Sequence, residues 1–196
     1  MKFLRKTKYY EGVVYEWNLP SGFTCPFAQD CLVKVDRYTG KFNDLHKTYK
    51  CYSAVAERFP AVRNHRWGNF EGLRKGKIPK IPVQAKAIRI HASGDFYNQA
   101  YFDTWLEICR ENPTVEFWAY TKSLNYWVNR IDTIPNNLTL TASRGGKHDN
   151  LIDQYSLKNV DVISDPSEAD GRPIDTCDDQ ARLPGVNFCL VDNFAN

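Results

Sequence analysis

From Ala87 to Ser164, short β-branched runs alternate with helically spaced apolar residues, and this alternation leaves few folds open. Ala87-Ile88-Arg89-Ile90-His91, Val115 to Tyr120, Leu138 to Ser143 and Val160 to Ser164 read as strands. After the first of these, Tyr101, Phe102, Trp105, Leu106 and Cys109 recur at helical spacing. Asn98 stands at the N-cap of that helix, which runs from Gln99 to Glu111, and Pro113 lies beyond its end. Ser123 is placed to cap a further helix through Trp127, Val128 and Ile131. Helices of about a dozen residues between strands demand parallel strands with right-handed crossovers, so the fold class is α/β.

Upstream, Val13 to Leu19 predicts the first strand, stopped by Pro20-Ser21-Gly22. A cysteine-bearing loop follows over 21–51, with little periodicity, and long loops in compact domains are usually functional. A helix over 53–58 is expected to stop or kink at Pro60, and a second runs from Ala61 to Arg74. The stretch 75–82 is a Pro-punctuated connector, and 166–196 reads as an irregular C-terminal segment returning to the cysteine site. A length of 196 residues suits a single domain.

The net charge of +3 is well short of a nucleic-acid-binding extreme. Its basic excess is local, at Lys2 to Lys8 and from Arg63 and Arg66 to Lys86. A solvated face is the plainer explanation, and a phosphate-binding patch is the alternative. No secretory signal or membrane-length apolar run is visible, which predicts a cytoplasmic protein with no membrane partner. In that compartment cysteines are more often metal-binding, catalytic or free than disulfide-bonded.

Parallel strands share a direction, so their C-terminal ends lie on one edge, where ligands bind in such sheets. Here those ends carry His91, Ser93, Gly94 and Asp95, then Tyr120, Thr121 and Lys122, then Ser143 and Arg144, and last Ser164 and Asp165. Each group also suits an ordinary turn or cap. His91 and Arg144 are the least turn-like members. His91 and Asp95 form a candidate base or ligand-orienting pair, while His91 equally suits a satisfied core position. Cys25, Cys31 and Cys51 are separated by five and nineteen residues, wider than a zinc knuckle or the tight motif of usual radical S-adenosylmethionine enzymes. That spacing suits a metal or cluster tied by separate loops, with Cys177 or Cys189 as fourth ligand, and it leaves unrelated thiols open. Cys109 reads as a buried apolar group.

Three stretches carry a family resemblance: Leu19 to Pro26; Cys51-Tyr52-Ser53-Ala54 continuing to Arg66-Trp67-Gly68-Asn69-Phe70; and Ile88 to Phe96 with Ala119 to Ser123. Together they resemble the bacteriophage gene product 88 domain family, over roughly residues 13–190. That family looks distantly similar to radical S-adenosylmethionine enzymes in strand order and in its cysteines after the first strand. The resemblance implies a phage origin, hence the cytoplasm of an infected host, and iron–sulfur binding without naming a reaction. The family's tail usually carries more cysteines than the Cys177 and Cys189 found here.

The combined expectation is a partial TIM-like barrel holding a [4Fe–4S] cluster through Cys25, Cys31, Cys51 and Cys189, with Cys177 as substitute. Ser93, Gly94, Asp95 and Ser143 are the cofactor-binding candidates, S-adenosylmethionine among the cofactors. His91, Asp95, Lys122 and Arg144 are the catalytic candidates toward an unidentified small molecule. Two alternatives stand beside it. One is a zinc-stapled nucleic-acid-binding module using the basic stretch with Trp67 and Phe70. The other is a metal-independent hydrolase or transferase using His91 and Asp95.

Overall fold

The computed structural model describes residues 1–6, 13–43 and 51–192. The chain opens with β1 (Leu4–Lys6), an antiparallel neighbour of β2 (Val14–Trp17). The strand expected as first is therefore second. The cysteine loop contains turns and a small hairpin, β3 (Lys34–Val35) with β4 (Phe42–Asn43), while residues 44–50 of it lie outside the described residues. Next come α1 (Tyr52–Ala56) and α2 (Pro60–Arg74). Pro60 opens α2 at its first turn, where its missing N–H costs no helical bond.

The alternating region follows as β5 (Ala87–Ile90), α3 (Gln99–Glu111), β6 (Glu116–Thr121), α4 (Leu124–Val128), β7 (Leu138–Ser143), α5 (Asn150–Gln154) and β8 (Asn159–Ile163). Asn98 caps α3, its Oδ1 accepting from Tyr101 N at 2.8 Å. Ser123 does not cap α4; its hydroxyl donates to Phe96 O at 2.7 Å and ties the two loops after β5 and β6 together. The tail is more regular than expected. A 3-10 turn at Pro166–Ala169 is followed by α6 (Asp179–Arg182) and β9 (Phe188–Val191).

The seven-stranded sheet has the order β1-β2-β5-β6-β7-β8-β9, and every neighbouring pair after β1 and β2 is parallel. It is open, with β1 and β9 at its edges. Sequential order with right-handed crossovers places α3, α4 and α5 on one face. Trp17, Ile88, Ile90, Phe117, Ala119 and Leu140 point to that face and join the buried residues of α3, α4 and α5, with Phe70 and Leu73 of α2 packed against them. Cys109 is wholly buried there, as expected. The alternate residues Val14, Ala87, Trp118, Val160 and Phe188 form a smaller cluster on the other face with Ala181 of α6.

Cys189 lies in β9 and belongs to neither the loop nor the rim. It is fully buried beside Ile163 and Ala169, on the side of its strand opposite Phe188. Asn98→Ala should cost about 1 kcal/mol, the usual value of a lost N-cap, in urea unfolding followed by far-ultraviolet dichroism.

Candidate functional site

A cavity of about 130 Å³ opens where β2, β5, β6 and β7 end. Cys25, Cys31 and Cys51 line it, together with Ser93, Gly94, Asp95, Lys122 and Ser143. The sheet order explains half of this convergence, because consecutive parallel strands deliver their following loops to one rim. The other half is a set of buried polar ties.

Glu57, on the turn after α1, is fully buried, and its Oε1 accepts from Ser21 N at 2.7 Å and from Arg66 Nη1 at 2.8 Å. The same Arg66 nitrogen donates to Ser53 O at 2.7 Å. Ser21 Oγ donates to Ser53 Oγ at 3.1 Å and lies 3.0 Å from Ser93 Oγ, which donates to Leu19 O at 2.8 Å. These bonds draw the turn that carries Cys25, the helix start that carries Cys51, and the loop after β5 onto one spot. Gly94 allows the closest approach. Its φ is +85°, and a Cβ there would stand 2.6 Å from Thr24 Oγ1 and 2.7 Å from Leu19 Cβ.

Arg63 is buried as well, donating to Glu57 O at 2.7 Å, Arg58 O at 2.9 Å and Arg37 O at 2.9 Å. Two arginines of the basic stretch thus hold the cysteine loop from inside. They are not part of an exposed phosphate-binding face. Trp67 packs on Phe23 and Phe70, with Arg37 over its ring.

Burial pushes the thiol of Cys25 well up, and the charges of Asp95 and Cys51 push in the same direction. Burial raises Cys31 to about 11, against the opposing pull of Lys122, and it raises Cys51 too. Left to themselves, these groups are protonated at neutral pH and poor nucleophiles. Asp95 is buried and pushed up to about 6, although Thr121 Oγ1, Phe96 N and Lys122 N all donate to it at 2.6–2.8 Å.

The remaining candidates part company. Lys122 stays at the cavity, its Nζ donating to Ser143 Oγ at 2.9 Å, to Ser143 O at 3.0 Å and to Arg144 O. The Arg144 side chain turns away to Asp153 and Asp161, at 3.0 and 3.4 Å, in a separate surface cleft. His91, at φ +63°, also lines the cavity, but its ring lies among Phe96, Tyr101 and Trp105, with Nε2 2.9 Å from Tyr101 Oη. Burial lowers its pKa to about 3. Its ring partner is Tyr101, and the donors to Asp95 are Thr121 and two backbone amides, so the expected His91–Asp95 pair is replaced by two separate networks. Cys177 bonds Asp179 at 3.1 Å, and neither it nor Cys189 lines the cavity. Ser21, Tyr52 and Ser53, which line it, went unread as site residues in the sequence because each looked like a turn or helix-start residue, whereas Tyr120 was among the strand-end groups expected there.

Among the described residues, no three His, Cys, Asp or Glu side chains stand ready to hold a single metal ion. The donor set still suits a thiophilic group. Three thiols line one cavity and sense one another's charge. Metal coordination deprotonates such thiols outright.

Fold and cavity together define a parallel α/β protein with a thiol-lined site at the carboxyl rim of its sheet. The chain belongs to the family described as Gene product 88, which matches residues 2–188. It is 30% identical over 119 residues to the Gene 88 protein of Mycobacterium phage L5, covering 57% of this chain and 48% of that protein. It is also 30% identical over 125 residues to the Gene 88 protein of Mycobacterium phage D29, with the same coverage. The chain therefore matches about half the length of these curated phage relatives. No solved structure matches it. No described helix is long and apolar enough to cross a membrane.

Two outcomes follow from the site. Glu57→Ala should cost about 3–5 kcal/mol in chemical unfolding, because it leaves the Arg66 charge buried without its carboxylate. Asp95 gives a pH signature. Its folded pKa near 6 exceeds the unfolded value near 4, so its contribution is greatest at low pH and is lost as pH rises through 6. Relative to Asp95→Asn, the wild type should gain stability as pH falls from about 6 to about 4; a flat difference would mean folding leaves the Asp95 pKa unshifted.

Proposed function

We propose that this chain is an iron–sulfur protein whose Cys25, Cys31 and Cys51 hold a [4Fe–4S] cluster at the carboxyl rim of a barrel-like arc of parallel strands. The observation that carries the reading is the meeting of these three thiols, from separate turns, on one cavity lined also by Ser93, Gly94 and Asp95. Thiolates are the usual ligands of such clusters, and when bound the cluster supplies one-electron chemistry. A four-iron cluster accepts thiols set farther apart than one ion does. A zinc ion with sulfur at 2.3 Å needs its thiolates within about 4 Å of each other.

Cys177 and Cys189 are away from the cavity, so three cysteines serve the cluster and one iron is left for a different ligand. In radical S-adenosylmethionine chemistry that position belongs to the cosubstrate, and this is the enzyme class we favour. The Ser93-Gly94-Asp95 turn and Lys122 are the polar groups beside it. Asp95 is already held by Thr121 and two amides, which fixes its orientation before any ligand arrives. Buried, protonated thiols make loading release protons, so cluster retention weakens as pH falls.

The test is iron and sulfide analysis after anaerobic reconstitution. Wild type should be brown and carry about four irons and four sulfides per chain. Cys25→Ala, Cys31→Ala and Cys51→Ala should each lose most of the iron, while Cys177→Ala and Cys189→Ala retain it. Colourless, iron-free wild type would overturn the proposal, and iron loss confined to Cys177→Ala or Cys189→Ala would overturn the ligand set.

A further inference from the structure

The face of the sheet opposite α3, α4 and α5 carries two charged residues, the buried Glu16 of β2 and its register neighbour Arg89 of β5, where strands of this kind usually pack apolar side chains. Arg89 projects there, in contact with Tyr52 and Tyr120, which line the cysteine cavity. An arginine keeps its charge at any physiological pH, so a largely buried one requires an oxyanion. In this structure the oxyanion is Asp178. Arg89 Nη1 lies 2.9 Å from Asp178 Oδ2, and Tyr120 Oη donates to Asp178 Oδ1 at 2.9 Å. The guanidinium also stacks over the Tyr120 ring, 5.2 Å from its centroid, and Nη2 donates to Tyr52 Oη at 3.4 Å. Each carboxylate oxygen thus has its own donor, and the two tyrosines continue into the wall of the cysteine cavity.

Asp178 reaches this position from outside the sheet. It stands in the turn before α6, at a left-handed φ of +65°. That turn is held by a different carboxylate. Asp175 accepts from the amides of Cys177, Asp179, Gln180 and Ala181 at 2.9–3.2 Å. The Asp178 side chain makes no cap bond to α6. Its own turn therefore keeps its backbone anchors when this carboxylate swings aside.

We propose that Arg89 and Tyr120, with Tyr52 accepting from the guanidinium, form a carboxylate-binding subsite beside the cysteine cavity, which Asp178 occupies as an internal stand-in for a carboxylate of the substrate. A planar carboxylate is the ligand class because arginine and a phenol already grip one, oxygen by oxygen. The inference goes beyond the iron–sulfur reading and is tested on metal-free protein, so either can fail without the other.

The experiment titrates the metal-free, reduced 196-residue chain with sodium acetate at constant ionic strength, following the Trp118 and Tyr120 amides by NMR. Removing an internal competitor raises apparent affinity by the inverse of the fraction of time the site stood open. Wild type should bind acetate weakly but saturably, and Asp178→Asn should bind at least about tenfold more tightly. Asparagine tolerates the left-handed backbone as aspartate does, which preserves the turn. In the Asp178→Asn background, Tyr120→Phe should weaken acetate several-fold and Arg89→Gln should abolish saturation. Equal affinity in wild type and Asp178→Asn, or no saturable binding in either, would overturn the proposal. Tighter binding of inorganic phosphate than of acetate would overturn the carboxylate assignment.

Discussion

Glu57 is the residue on which the site depends. One of its oxygens takes both the amide of Ser21 and the guanidinium of Arg66, and Arg66 in turn holds the carbonyl of Ser53. Cys25 and Cys51 are 26 residues apart, and this buried pair helps bring their loops to the same rim. A buried ion pair seldom adds net stability over a well-packed apolar substitute. Its value lies in geometry. Nothing apolar would select the one approach of turn to helix that places Ser21, Ser53 and Ser93 in contact, with Gly94 close beneath the turn. Arg63 extends the same device to the hairpin side of the loop through Arg37 O.

The sheet does the complementary work. Its strands run in sequence order, so their following loops reach one rim, while α3, α4 and α5 cover one face and α6 packs on the other. The thiols that gather at this rim are poor reagents alone, because burial keeps them protonated. A thiophilic metal centre reverses that balance, and this separates the proposed role from nucleophilic thiol chemistry. The face opposite α3, α4 and α5 adds Arg89 and its carboxylate partner, joined to the cavity wall through Tyr120.

Much of this architecture was legible in the sequence where period and capping agree. The α3 helix, its Asn98 cap and the runs that became β5, β6 and β7 were evident from local pattern alone. That Ser93, Gly94, Asp95, Lys122 and Ser143 would gather at one edge was readable because strand direction dictates where strand ends go, and they line one cavity. The failures share a cause: each depends on contacts distant in sequence. Nothing local shows that Phe188 to Val191 pairs with β8, so Cys189 seemed available as a ligand. Arg63 and Arg66 look like surface charge until the carboxylate and carbonyls that surround them are known. His91 sits beside Asp95 in the text of the chain, yet a positive φ sends its ring to Tyr101.

The most direct measurement is an anomalous-scattering map at the iron edge from crystals of the anaerobically reconstituted chain. The account predicts one compact iron peak in the cavity, bonded by the sulfurs of Cys25, Cys31 and Cys51 and by no other cysteine. An empty cavity, or iron bound at Cys177 or Cys189, would contradict it.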